Sequence, residues 1–302
     1  YDTFPAWAPM FHMASTDLAI GSLLIGGSVA FIDGFNSRKI TDLIKKYKLS
    51  WLVLMPGMLE EYIKFIEGKN IRVKGIKAMG AMADLIPKNQ ITSITKLLDT
   101  PYLNSFGSTE TGMPPASKGF IKKNKKNFSL SKLQSSFCEI KLVKNNKEVS
   151  YETPGECAVR GPTLFSGYWK AEETNIQDFR GGWFHMGDMM KRTHEETFDF
   201  VDRKKYLIKS GGENIYPAEI ERVILRHKNI IEAVVVRIKS KKWGESPIAI
   251  ISISKKDRQK TIIEELKKSC RKYLAGYKQP ADILVINEKD IPRSTTGKVQ
   301  RH

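Results

Sequence analysis

The sequence predicts an α/β protein. Its large domain carries a layered, largely parallel sheet and a small antiparallel, barrel-like subdomain; a small α+β domain follows at the C-terminus. Three changes of pattern predict it. Through the first hundred or so residues, short apolar runs alternate with amphipathic stretches. From about Ser136 to Asp202, short strands and turn signals dominate. From Lys205 onward, strands and helices are mixed. The expected domains are residues 1–203, with 136–202 as the barrel-like part, and residues 204–302 as a mobile C-terminal unit.

Taken in order, Phe4–Pro9, Val29–Ile32, Trp51–Met55, Ile76–Met79 and Tyr102–Ser105 read as strands. The apolar stretch Leu18–Ile32 is broken by Gly21, Gly26, Gly27 and Ser28, so it reads as a helix, a turn and a strand. No apolar run approaches the roughly 20 residues that span a bilayer. Ser37–Lys48, Met58–Glu67 and Lys88–Leu98 carry apolar residues at helical spacing. Ile40, Leu43, Ile44 and Tyr47 form one stripe; Leu59, Tyr62, Ile63 and Ile66 form another. In parallel sheets ligands bind beyond the carboxyl ends of strands, so chemistry is expected in the loops that follow them. Further on, Glu139–Val143 and Gly155–Arg160 are short strands, with a turn at Asn145–Asn146. The C-terminal pattern is helix Ala218–His227, strands Ala233–Ile238 and Ile248–Ser254, helix Thr261–Leu274 and strand Asp282–Ile286. No Pro/Gly/Ser linker marks the boundary near Arg203–Lys205, so the joint there is a short hinge.

Composition narrows the function classes. With 302 residues and 41% hydrophobic content, the chain can bury a sizeable core. Its net charge of +17 raises nucleic-acid binding as a reading. The basic residues, however, neither alternate with aromatics nor line one helix face, and the run Lys122–Lys126 reads as a surface loop. A lysine-rich, solvated surface is the expectation, with no nucleic-acid partner. Cys138, Cys157 and Cys270 lie far apart and show neither metal-ligand spacing nor a disulfide framework, which fits a reducing, cytoplasmic setting.

Four segments carry the chemistry: Asn104–Gly112 (NSFGSTETG), Gly182–Asp188 (GWFHMGD), Asp202–Glu221 (DRKKYLIKSGGENIYPAEIE) and Pro292–Lys298 (PRSTTGK). Their order and spacing resemble the adenylate-forming, AMP-binding superfamily of acyl-CoA synthetases, luciferases and nonribosomal-peptide adenylation domains. The resemblance covers essentially the whole chain, and four segments in order are far more specific than one.

The resemblance implies a ligase that uses ATP and Mg²⁺ to convert a carboxylic acid to an acyl-adenylate, then passes the acyl group to CoA. It places Lys298 at the adenylation step, where an ammonium offsets charge developing between carboxylate and α-phosphate. Phe106 would stack on the purine, Gly107 would allow the tight turn, and the Thr109 hydroxyl would meet a phosphate oxygen. Glu110 would hold Mg²⁺, a hard cation that prefers oxygen. Gly80 and Ala81 would border adenine, and Asp188 and Arg203 would hold the ribose. The acid pocket would involve His12, Ser15, Gly57 and Met82, with Ala14 and Thr16 nearby. Lys209, Ser210, Gly211 and Gly212 would border the pantetheine path, and Lys205 would be the hinge. Fatty-acid metabolism is the expected setting, and a homodimer is among the expected partners. The positive charge would steer anionic ATP and CoA.

Departures from the pattern matter too. Tyrosine is usual in the family where this chain has Phe106, and threonine where it has Met186. Amino-acid-activating relatives place an aspartate near His12, so an acid without an α-amine is expected. Firefly-type luciferases usually carry lysine at the position of Gly211, which argues against light production. The family's Ser/Thr/Gly-rich phosphate loop is missing, so the sequence reads as a fragment, inactive alone, in which Phe4–Pro9 and neighbouring strands lose partners. Two alternatives stay open: an adenylation module loading a carrier protein, and an inactive truncated remnant.

Overall fold

Five short parallel strands with helices between them occupy the first hundred residues. In the computed structural model, which describes residues 2–55, 58–80, 82–254, 258–294 and 299–301, the order is β1 (Thr3–Ala6), α1 (Met13–Leu24), β2 (Ser28–Phe31), α2 (Ser37–Lys46), β3 (Leu49–Leu52), α3 (Leu59–Ile66), β4 (Ile76–Met79), α4 (Lys88–Leu97) and β5 (Tyr102–Phe106). The strands lie in the order β2-β1-β3-β4-β5, all parallel, and β6 (Ala116–Ile121) runs antiparallel beside β5. The order reverses at β1/β3, so the crevice for a ligand opens past the carboxyl ends of those two strands. Residues 1–109, 116–132 and 293–298 form one unit; residues 110–115, 133–292 and 299–302 form the other.

The first unit packs its helices through the stripes that the spacing predicts. Leu59, Tyr62, Ile63 and Ile66 are all buried along α3. On α2 the buried set is Ile40, Thr41 and Ile44, while Tyr47 leaves the helix in an extended conformation. Trp7, Phe35 and Tyr62 meet edge-to-face at 5.2 and 5.7 Å between ring centroids. Burying one such large apolar side chain contributes about 1.5–3 kcal/mol.

Two strand ends differ from expectation. The first strand stops at Ala6. Beyond it the Trp7 indole donates to the Val53 carbonyl (2.9 Å), the Ser15 hydroxyl donates to the Ala8 carbonyl (2.7 Å), and Pro9 has no N–H to give. The third strand is Leu49–Leu52, and Val53–Met55 run on, buried, past its end. The expected loss of partners around Phe4 is also corrected. β1 lies between β2 and β3, and Phe4 is 1% exposed. Among the exposed apolar side chains are instead Ile20, Leu23 and Leu24 of α1 and Phe31 of β2, at the end of the strand order.

In the second unit come β7 (Leu133–Gln134), β8 (Glu139–Lys144), β9 (Lys147–Glu148), β10 (Gly155–Arg160), α5 (Glu172–Asp178), β11 (Phe184–Arg192) and β12 (Phe198–Arg203). An antiparallel sheet runs β12-β11-β10-β8-β9, and Asn145 and Asn146 take positive φ in the turn between β8 and β9. The sequence reading missed α5, which has no buried residue and hence no apolar period.

The rest is α+β: β13 (Ile208–Ser210), β14 (Glu213–Ile215), α6 (Pro217–Ile224), β15 (Ile230–Ser240), β16 (Gly244–Ile253), α7 (Gln259–Tyr273) and β17 (Ile283–Val285). The sheet order is β14-β13-β16-β15, with β17 parallel to β16. Ile215, Ile220, Ile224, Val235, Ile251 and Leu266 are fully buried in its core. The β15/β16 hairpin extends beyond its apolar halves through Lys239↔Glu245 to Ser240↔Gly244.

Candidate nucleotide and acid-activation site

Parallel strands put the loops after β1, β3, β4 and β5 at one edge of the first unit's sheet. After β1, His12 is the N-cap of α1, and its Nδ1 accepts from the Ala14 N–H (3.1 Å). Ser15 is buried and its hydroxyl is committed to Ala8, while the Thr16 hydroxyl donates to the Met10 carbonyl. These hydroxyls hold the loop that leads into His12.

After β4, Gly80 has φ +89°, and an added Cβ would fall 2.1 Å from Cζ of Tyr102. Only glycine lets the Tyr102 ring lie against this strand end. The Gly80 N–H donates to the Leu52 carbonyl (2.9 Å), and its own carbonyl accepts from the Trp51 indole (2.9 Å). Met82, two residues on, sits in the left-handed region (φ 50°, ψ 53°), a strained backbone for a non-glycine residue. At the end of β5, Phe106 is buried (7% exposed), and beyond it Gly107 and Thr109 are exposed. Gly57, Ala81 and Lys298 lie outside the described residues.

In the second unit, Asp188 and Arg203 face each other directly across β11 and β12. Arg203 Nε lies 2.8 Å from Asp188 Oδ1; the aspartate side chain is 3% exposed and the arginine side chain 45%. Preceding β11 residues, Met186 and Gly187, line an open cleft of about 630 Å³ with Glu156, Arg180, Lys204 and Lys205. Glu156 accepts from Arg180 (2.6 Å) and Lys204 (2.9 Å). Burial would raise its carboxyl, but the Lys204 ammonium and its neighbours hold it below the ordinary value.

Glu110 takes part in a separate arrangement. Its carbonyl accepts from the Phe165 N–H (3.0 Å), and its Oε1 accepts from the Tyr168 hydroxyl (3.1 Å). Asn175 grips Tyr168 from both sides of its backbone: Oδ1 accepts from the Tyr168 N–H (2.7 Å) and Nδ2 donates to its carbonyl (2.8 Å). Burial, then the Glu110 charge, pushes the Tyr168 phenol up to about 12. It therefore stays a proton donor to Glu110. The sequence reading missed Tyr168, which lies far from Glu110 in the chain; the Gly-Tyr-Trp run at 167–169 was the available signal.

Lys205 is exposed in a single helical turn, 204–206, between β12 and β13. Lys209 and Ser210 end β13, and Gly211 and Gly212, both at positive φ, turn the chain into β14. A Cβ on Gly211 would lie 2.8 Å from the Trp243 ring, whereas Gly212 faces open space. The glycine at 211 thus serves indole packing, and the one at 212 leaves the turn bare.

Known proteins match along the same path. The model of the AMP-binding enzyme family matches residues 1–169, and that of the AMP-binding enzyme C-terminal domain matches residues 219–298. The 2-succinylbenzoate–CoA ligase of Geobacillus sp. (strain WCH70) is 30% identical over 306 residues, and that of Listeria monocytogenes serotype 4b (strain F2365) is 32% identical over 309. Each alignment covers 100% of this chain and 60% of the relative, so the chain spans about 60% of the length of these curated relatives. Among solved structures, the O-succinylbenzoate coenzyme A synthetase of Bacillus subtilis, in complex with ATP and magnesium ion, superposes with a TM-score of 0.81 at 26% identity, over 99% of this chain and 60% of that one. An anthranilate CoA ligase in complex with anthranoyl-AMP, at 21% identity, shares the fold with a TM-score of 0.83, over 99% of this chain and 58% of that one. The chain belongs to the AMP-binding enzyme family.

Proposed function

We propose that this chain carries the nucleotide, lysine and CoA-facing parts of an ATP-dependent acid–CoA ligase. The observation that carries the reading is the Asp188–Arg203 pair. A carboxylate held rigidly on paired strands, its arginine half in solvent, has what a ribose clamp needs: fixed acceptors, and a cation free to turn toward a phosphate. Thr109 would meet phosphate oxygens, and Phe106 with Gly80 and Ala81 would border adenine.

Glu110 suits a magnesium ion, because it is a hard oxygen donor already oriented by Tyr168. Among the described residues no group of three or more His, Cys, Asp or Glu could hold a metal, so Glu110 would share the ion with phosphate and water oxygens. When bound, the ion neutralises phosphate charge. Lys298 would meet the charge that builds up as the acid's carboxylate attacks the α-phosphate. Residues 204–302 would then turn about Lys205, and Lys209 to Gly212 would border the incoming thiol.

The acid would be one without an α-amine, since a histidine and not a carboxylate caps α1. The relatives' names make 2-succinylbenzoate the first candidate and give no support to fatty-acid metabolism as the setting. The test is acid-dependent ATP–pyrophosphate exchange by the full-length protein, followed by thioester formation with free CoA. Lys298→Ala should lower exchange at least about a hundredfold and spare thioester formation from supplied acyl-adenylate. Equal loss in both half-reactions would remove Lys298 from the adenylation step, and acyl transfer only to a carrier protein would replace CoA as acceptor.

A further inference from the structure

Beyond the last strand, the chain does not trail away. The Gln300 N–H donates to the Pro292 carbonyl (2.9 Å), which holds position 300 beside position 292. Next to it, Arg301 is drawn inward. Its Nη2 lies 2.8 Å from Glu221 Oε1 and 2.9 Å from Oε2, with the side chains only 14% and 11% exposed. The guanidinium also rests 4.6 Å from the centre of the Tyr206 ring.

The receiving site is built from separate elements. Glu221 comes from α6, and its Oε1 also accepts from the Val235 N–H of β15 (2.7 Å). Asp202, from β12, is buried nearby and accepts from the N–H groups of Ala218 and Arg203, both at 2.7 Å. The apolar core of this region is closed without Arg301. Glu221, held by α6 and by the Val235 N–H of β15, therefore fixes Arg301 and with it the path of residues 299–301.

We infer that Arg301, seated on the buried Glu221 carboxylate, anchors the chain three residues after Lys298 and acts as a positioning residue for adenylation. The inference rests on the role proposed for Lys298. Its reach is simple chain geometry: three residues span at most about 11 Å, so fixing Arg301 bounds the volume that Lys298 can sweep. A lysine that must meet a transition state gains from such a bound, because small misplacements cost large factors in rate. A buried, hydrogen-bonded ion pair is a stiff anchor, and the aromatic ring beside it removes a further freedom.

The experiment uses the full-length protein with Arg301→Gln, Glu221→Gln and Lys298→Ala, singly and combined. Arg301→Gln should lower the kcat of ATP–pyrophosphate exchange about tenfold or more, with KM for ATP within about twofold. Thioester formation from supplied acyl-adenylate should stay within about twofold. In the Lys298→Ala background, Arg301→Gln should add no further loss, because the lysine it positions is gone. Glu221→Gln, which keeps the side chain's shape and removes the charge, should reproduce the split. Loss in both half-reactions that tracks a lowered Tm, or full additivity with Lys298→Ala, would overturn the anchor. If Lys298→Ala itself leaves exchange intact, the role of the lysine falls and the anchor with it. If Lys298→Ala abolishes exchange while Arg301→Gln and Glu221→Gln are silent, the anchor alone falls.

Discussion

Two arginine–carboxylate pairs in the second unit have nearly equal contact distances and opposite surroundings. Arg203 meets Asp188 at 2.8 Å with 45% of its side chain exposed; Arg301 meets Glu221 at 2.8 Å with 14% exposed. In the first pair only the anion is buried. Water already solvates much of the cation, so it can exchange its partner for a ligand at little desolvation cost. In the second pair both groups are out of water, and at pH values above about 7, where Glu221 is ionised, removing either leaves the other unmatched at about 3–5 kcal/mol. The difference separates a contact suited to binding from one suited to holding. Glu110 makes a third case, a carboxylate that accepts from the neutral hydroxyl of Tyr168.

The largest expected effect is on the closed pair. Burial pushes the Glu221 carboxyl up to about 7 from an ordinary 4.5, against the pull of Arg301. Asp202 adds to the rise, and Asp202 itself is raised by burial while Arg301 and Arg222 oppose it. Between 4.5 and about 7 the folded chain holds a proton that the unfolded chain has released. Stability from this group is therefore fully present below the unfolded value and is lost as pH rises to the folded one, by about 3 kcal/mol. Glu221→Gln has no such proton. Urea denaturation should show the variant gaining about 3 kcal/mol on the parent between the two ends of that window. A constant difference would mean that Arg301 keeps Glu221 charged throughout, and the two pairs would then differ in exposure alone.

This contrast could not be read from the sequence, although much else could. The stripe of α3 and the strand–helix alternation follow from apolar periodicity, which is local. Asp188 and Arg203 stood out as parts of two motifs, but only the register of β11 and β12 puts them face to face. Glu221 was visible as the last residue of a motif and had no role without Arg301, 80 positions away. Tyr168 reaches Glu110 across 58 positions. Such partnerships depend on tertiary packing, which carries no period. Gly80 was legible only as part of a loop expected beside adenine, and its packing against the Tyr102 ring was not.

A smaller effect is expected at the open pair. Asp188→Asn keeps the side chain's size but loses charge and acceptor strength. The fold should persist, because the half-exposed Arg203 turns to water. The apparent ATP requirement should rise about thirtyfold, the scale of a hydrogen bond to a charged group. Thermal melting with and without ATP measures it directly. An unchanged ATP-induced rise in Tm would remove Asp188 from the nucleotide site and make both pairs holding contacts.

The smallest effect should come from the neutral partner. Tyr168→Phe removes one hydroxyl, keeps the ring against Phe165 (4.8 Å between centroids), and leaves the Asn175 grip on the backbone intact. The fold should hold, because the packing surface is the same. What changes is the freedom of the Glu110 carboxylate, since the Tyr168 O–H no longer donates to Oε1. An outer hydrogen bond that orients a metal-binding carboxylate affects affinity by about tenfold. The affinity for Mn²⁺ in the presence of ATP, followed by electron paramagnetic resonance, should weaken by that factor, with Tm within about a degree of the parent. Tyrosine ionisation offers an independent check. Because the Tyr168 phenol is raised to about 12, the variant should lose one late-titrating tyrosine from the alkaline absorbance change. Unchanged Mn²⁺ binding with that late titration lost would mean that the hydroxyl touches Glu110 without directing it.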